Sequence, residues 1–335
     1  MTTSSELDAA RAGDEDAFTA LVAPHLRELH VHCYRMLGSL DDADDALQDV
    51  LVSAWRGLAR YAGRASVRTW LYAIATNRCL TVLRTGRRRP REVALPFDAP
   101  PPDDRTEVPW LQPYPDAWLP VEPVEPGPAA RYDATESIAL AFVAALQVLP
   151  PRQVAAVVLG DVLGYAQAEV AAMTGTTPTV VKGLLQRGRA TLAQHRRDEP
   201  RTGRDVHGHV DLHVDRAVAH RFARALEAGD VAAVVDLLTD DGWLAMPPLP
   251  HVYRGRASVA AFLQAAGGWR AGRRLTLAEV ALNGEPGFVG TSWDGGREVP
   301  GGVYVLTTRA GHLVSATRFL DDRLVGLVGH ECPRP

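Results

Sequence analysis

Between Glu92 and Ala130 the chain packs eleven prolines and eight acidic residues against one arginine into 39 positions. Such a stretch cannot build a packed core of its own. It reads as an extended acidic linker, 92–130, that divides the chain. Trp110, Tyr114 and Trp118 lie inside it as sticky anchors that a plain tether would not need. A second, polar seam, "RRDEPRTGRDVHGHVD", covers 196–211. Three blocks remain, 6–91, 131–195 and 212–328, as expected for 335 residues, too many for one ordinary core.

Composition excludes several classes. At 46% hydrophobic and 23% charged the chain is not disordered throughout. Cys33, Cys79 and Cys332 are odd in number and far apart, which argues against a disulfide framework or a zinc site and fits a reducing cytoplasm. The longest apolar run, "IALAFVAAL" at 138–146, is about half of what a bilayer span needs, so no membrane role is expected. No metal or other cofactor is expected either.

The first two blocks have helical periodicity. Asp14 is placed to cap a helix beginning near Ala17, and "DDADDALQDVLVSAWRGL" begins with acids where the helix dipole favours them. Its apolar stripe is Leu47, Val50, Leu51 and Trp55. Although the net charge is −4, residues 60–91 hold nine arginines and no acid. With Val67, Leu71, Ile74 and Val82 taken as the buried stripe, Arg68, Thr69, Tyr72, Arg78, Thr81 and Arg84 lie outside it and Trp70 at its edge. Arginines neutralise phosphates and aromatic faces stack on unpaired bases, a combination suited to locally opened DNA.

"DADDALQDVLVSAW" followed by "RASVRTWLYAIATNRCL" resembles the second conserved region of bacterial RNA polymerase sigma factors of the sigma-70 family, extracytoplasmic-function (ECF) type. The resemblance implies that 6–91 is sigma region 2. It further implies that Asp45, Gln48 and Asp49 dock on core RNA polymerase, at the β′ clamp helices with the β subunit nearby. Arg64, Ser66, Arg68, Thr69, Trp70, Asn77, Arg78 and Arg84 are implied to hold the minus-ten promoter element, with Arg87, Arg88 and Arg89 on phosphates.

The second block carries "LGYAQAEVAAMTGTTPTVVKGLLQRGRATLAQ", a helix, tight turn and helix. Gly175 suits the turn, Thr177 an N-cap and Pro178 the first helical position. Val181, Leu185, Gly188 and Leu192 fall on the buried face, although Gly183 and Gly188 each lower helix propensity. Thr177, Thr179, Lys182, Gln186, Arg187 and Arg189 are left to meet a major groove. This block, 131–195, resembles sigma region 4, which implies reading of the minus-thirty-five element.

The third block changes character. "VDRAVAHRFARALEAGDVAAVVDLL" and "GRASVAAFLQAAGGW" are helical, whereas "RLTLAEVAL", "GFVGTSWDGG", "GGVYVLTTRAGHLVSATRFLDD" and "RLVGLVG" read as short β-rich runs. Helices followed by an antiparallel sheet give an α+β domain. It resembles the SnoaL-like, ketosteroid-isomerase-like superfamily, a sheet cone closed by helices. Trp243, Met246, Tyr253, Trp269, Trp293 and Tyr304 are candidates to line a ligand pocket there, with Asp240, His251 and Arg318 as polar groups. No paired acid and base stands out, so no catalytic residue and no enzymatic activity is assigned.

The fold class is therefore multidomain: two all-α DNA-binding domains, the second a helix-turn-helix, followed by an α+β cone. The expected function is transcription initiation in the cytoplasm, with core polymerase and promoter DNA as partners. Contact between the C-terminal domain and the sigma regions would regulate it in cis. The alternatives are a small-molecule enzyme of isomerase or hydrolase type tethered to DNA, and a repressor-like protein using the helix-turn-helix alone.

Overall fold

A computed structural model describes residues 4–86, 93–106, 108, 110–120, 137–198 and 212–328. The N-terminal block forms α1 (Ser4–Arg11), α2 (Glu15–Val22), α3 (Leu26–Leu37), α4 (Leu40–Gly57) and α5 (Val67–Thr85). The caps are those the side chains dictate: Asp14 Oδ1 accepts from Ala17 N at 3.0 Å, and Ser39 Oγ from Asp42 N at 3.2 Å. Gly38, with φ 73°, ends α3 in the left-handed conformation.

The buried stripe of α5 differs from the expected one. Leu71, Tyr72, Ala75, Thr76 and Cys79 are buried, whereas Val67, Ile74 and Val82 are only partly so. Tyr72 turns inward because its hydroxyl finds a partner there, donating to Glu28 Oε2 at 3.2 Å, while its ring meets that of His32 edge-on at 5.0 Å.

The second block contributes α6 (Leu140–Gln147), α7 (Pro151–Val157), α8 (Gln167–Thr174) and α9 (Pro178–Asp198). Gly175, with φ 65°, closes α8, and Thr177 Oγ1 accepts from Val180 N at 3.4 Å ahead of α9. Val181, Leu185 and Leu192 face inward. Gly188 has a packing reason: a Cβ there would lie 2.8 Å from Val157 Cγ2.

The third block comprises α10 (Leu212–Ala228), α11 (Val231–Leu237), α12 (Gly255–Trp269) and α13 (Asp322–Val328). Its strands are β2 (Leu238–Met246), β3 (Leu249–Arg254), β4 (Arg274–Leu282), β5 (Glu285–Asp294), β6 (Arg297–Arg309) and β7 (His312–Phe319). "RLVGLVG" is thus mostly helix rather than strand. Asp321 Oδ1 accepts from Arg323 N at 3.1 Å to start α13, and Leu324 and Val328, one turn apart, are both buried.

The described part of the Pro-rich segment is packed against the elements around it. Asp104–Arg105 forms β1, an edge strand antiparallel to β3, so that the seven-stranded sheet runs β1-β3-β2-β7-β6-β5-β4. Leu95, Phe97 and Ala99 pack on the core of the cone. Tyr114 and Trp118 are 0% and 1% exposed in a core shared with both helical blocks. A proline-rich chain lacks a core of its own, yet it has few N–H groups to satisfy, so it can be buried between other elements at low cost.

Candidate nucleic-acid interface

Helix α5 and the turn before it carry the predicted minus-ten residues, and several already have partners within the chain. Ser66 is the N-cap, its Oγ accepting from Thr69 N at 3.1 Å and donating to Thr69 Oγ1 at 2.9 Å. Arg68 Nε donates to Glu28 Oε2 at 2.8 Å and its Nη1 to Tyr165 Oη, in the second block, at 3.2 Å. Asn77 Nδ2 donates to Met173 O of α8 at 2.8 Å. Arg78 is ion-paired with Asp49, and Arg84 folds back on Leu80 O and Thr81 Oγ1 at 3.3 and 3.1 Å. Arg64 is exposed, and Trp70 is packed against Tyr61 with ring centroids 4.9 Å apart. Arg87, Arg88 and Arg89 lie outside the described residues.

Burial raises the pKa of Glu28, but hydrogen bonds from His25 and Arg68, with the charges of both, outweigh it and hold the carboxyl below its ordinary value. His32, beneath α5, is pushed down to about 3 by burial and by the nearby Arg35 and Arg68, so it is a neutral core residue.

Just ahead of α9 and along it, all six predicted groove residues, Thr177, Thr179, Lys182, Gln186, Arg187 and Arg189, are exposed. Arg189 is held in a two-point ion pair with Asp161, at 3.0 and 2.6 Å. On α4, Asp45 and Gln48 are exposed and Asp49 sits one turn on, so the three share a face, with Asp49 joined to α5 through Arg78.

Sigma-70 region 2 matches residues 21–89, Sigma-70 region 4 matches 139–192, and a SnoaL-like domain matches 219–326. The chain is 36% identical to the ECF RNA polymerase sigma factor SigG of Mycobacterium tuberculosis over 318 residues, 94% of this chain and 83% of that protein. It is 36% identical to SigM of the same organism over 191 residues, 57% of this chain and 83% of that one. The chain belongs to the ECF RNA polymerase sigma factors. The crystal structure of the Mycobacterium tuberculosis ECF sigma factor SigJ shares its fold, with a TM-score of 0.59 at 22% identity over 90% of this chain and 97% of that one. The activity is accordingly transcription initiation, by binding core RNA polymerase and directing it to promoters.

The residues that join the three parts of this sigma factor are ones that sequence reasoning did not single out. Asn283, at the turn between β4 and β5 with φ 56° and 0% exposure, reaches into the helical half. Its N donates to Tyr114 O at 2.9 Å and its Oδ1 accepts from Tyr114 N at 2.7 Å. Its Nδ2 donates to Tyr34 Oη at 2.9 Å and to Ile138 O at 2.6 Å. One side chain thus ties region 2, the linker, the approach to region 4 and the cone.

Gln112 Oε1 accepts from Leu40 N at 2.7 Å and Asp41 N at 3.2 Å, acting as a second cap on α4 supplied by the linker. Arg323 of α13 pairs with Asp41 at 2.9 Å, and His30 links Asp44 (3.0 Å) to Tyr114 Oη (2.9 Å). Asp116 meets Gly284 N at 2.9 Å, and burial raises its carboxyl to about 6 even though that N–H opposes the rise. The sequence signals for this junction are the aromatic anchors of the linker, Tyr114 and Trp118 among them, and the Asn283-Gly284 turn, which foretells a hairpin but not where it docks.

In the cone, Trp269 and Tyr304 line a cleft, whereas Trp243, Met246, Tyr253 and Trp293 do not. Leu244 faces the cleft, so the pleat turns its neighbour Trp243 to the other side. Met246 and Tyr253 are fully buried, Tyr253 stacked on Phe262 at 4.7 Å, and Trp293 is on the surface. Of the polar candidates only Arg318 enters the cleft. Asp240 is solvent-exposed beside Arg256, at 3.5 Å, and His251 lies on β3 paired with Arg105 of the edge strand β1.

Proposed function

We propose that the free protein rests with its promoter-binding faces partly closed on one another, and that docking on core polymerase opens them. In this reading Asp45, Gln48 and Asp49 meet the β′ clamp helices. Arg64, Ser66, Arg68, Thr69, Trp70, Asn77, Arg78 and Arg84 hold the minus-ten element, and Thr177, Thr179, Lys182, Gln186, Arg187 and Arg189 the minus-thirty-five element. The protein acts in the cytoplasm, and its cone regulates rather than catalyses.

The observation that carries the proposal is that Arg68, Asn77 and Arg78 are already bonded within the chain, to Glu28 and Tyr165, to Met173 and to Asp49. Those bonds must be exchanged before the side chains can hold DNA. Partly exposed pairs of this kind contribute about 0–1 kcal/mol each, so a small set is readily outcompeted by polymerase and promoter. Because Asp49 holds Arg78, seating α4 on polymerase would release a DNA contact in the same step. Asn283, Gln112 and Arg323 support a role for the linker and cone in maintaining the closed arrangement.

Run-off transcription with core polymerase tests this reading. Full-length protein should direct initiation at a defined site, and Gln48→Ala with Asp49→Ala should abolish it while leaving the far-ultraviolet circular dichroism unchanged. Truncation near residue 205 should alter the yield. Initiation that survives the double substitution would exclude the assigned role of α4.

A further inference from the structure

The cone contains a cleft of about 670 Å³, its open mouth included, whose walls are largely apolar: Phe222, Leu226, Val234, Leu244, Phe262 and Leu263. Two guanidinium groups enter it, Arg270 from the end of α12 and Arg318 from β7. Arg318 Nη2 donates to Gly301 O at 3.1 Å, its guanidinium carbon lies 5.6 Å from the Tyr304 ring centroid, and its Nε is buried without an acceptor. Arg270 Nη2 donates to Leu226 O at 3.2 Å.

Among the described residues neither arginine has a carboxylate within ion-pair distance. The acid in the lining, Asp230, is exposed and is occupied as the N-cap of α11, accepting from Ala233 N at 3.0 Å. Asp322 of α13 feels the charge of Arg318 without pairing to it. Burial, and secondarily the like charge of Arg318, lower the proton affinity of Arg270. Two cations in an apolar cleft carry a desolvation cost that a bound anion would offset.

We propose that the cleft is a receptor site for a small organic carboxylate with an aromatic or aliphatic body. A carboxylate matches the planar donor fork of a guanidinium, and the Arg270 and Arg318 guanidinium groups both line the cleft it would enter. The apolar walls favour an acid with a hydrocarbon body over a bare inorganic anion, which would surrender its hydration and gain nothing from them. The roof of the cleft is Phe97, whose ring lies 5.8 Å from Phe262 and 6.0 Å from Trp269. Phe97 belongs to the same described stretch as β1, so occupancy would act on the linker that leads back to region 2.

Calorimetric titration of the full-length chain with phenylbutyrate, phenylbutyramide and inorganic phosphate tests the proposal without polymerase, so a failure here leaves the transcription reading untouched. The acid should bind saturably, the isosteric amide about tenfold or more weakly, and phosphate not at all. Arg318→Met and Arg270→Met should each weaken the acid by a similar factor, with melting curves confirming that they fold. If one variant fails to fold, the acid–amide comparison and the other variant still decide. Equal binding of acid and amide, unchanged binding by the folded variants, binding of phosphate in preference to the acid, or no saturable binding of phenylbutyrate, cinnamate or octanoate at millimolar concentration would each overturn it.

Discussion

Asn283 ties the cone, the linker and the helical half together through one buried amide. Its amide makes three hydrogen bonds and its N–H a fourth, all in a buried setting and at a positive φ that asparagine tolerates better than most residues. Asn283→Ala leaves Tyr114 N, Tyr34 Oη and Ile138 O without those partners. It is expected to destabilise the chain by about 3 kcal/mol, read from urea unfolding, and to speed amide exchange across 110–120. Asp116 makes a pH-dependent contribution at the same junction. Its folded carboxyl titrates near 6, above the ordinary 3.8, so between those values the folded chain binds more protons than the unfolded one. Stability from this group is therefore full below about 3.8 and is lost as pH rises toward 6. Asp116→Asn keeps an acceptor for Gly284 N and removes the charge, so its melting temperature relative to wild type should rise more at pH 7 than at pH 5. An equal effect at both values would refute the assignment.

Most elements are legible because each is written in one local code: caps at Asp14 and Thr177, a left-handed glycine at Gly175, and periodicity of 3.6 or 2. Failures came where a distant partner decided the outcome. Tyr72 reads as exposed, but Glu28 supplies a partner for its hydroxyl, and "RLVGLVG" reads as a strand, but Asp321 caps Asp322–Val328 as a helix. The proline-rich segment was read for what it cannot do alone, and nothing within it reveals that β3 offers Asp104–Arg105 a sheet edge. The two weak points in α9 separate on the same ground. Gly183→Ala should gain about 1 kcal/mol of helix propensity, because a Cβ there meets only the flexible Arg187 head at 3.4 Å. Gly188→Ala should lose about 1 kcal/mol net, since overlap with the stiff Val157 side chain outweighs that gain. Thermal melts of the two variants should move in opposite directions, and a shared direction would contradict the packing account.

For the whole molecule, domain order and family were readable from the sequence, whereas the contacts that close the molecule were not. Those contacts use residues whose roles the family resemblance assigns to DNA or polymerase: Arg68 and Asn77 face the second helical block, and Arg78 holds Asp49. A sigma factor built this way should bind promoter DNA weakly until polymerase separates the two faces. The most direct test is a distance measured by pulsed electron spin resonance between labels at Thr81 on α5 and Thr179 on α9, in Cys332→Ser protein, where Cys33 and Cys79 are shielded by burial. The free protein should give one narrow, short distribution that moves to longer distances when core polymerase is added. A distribution that does not change on binding polymerase would contradict the closed resting state.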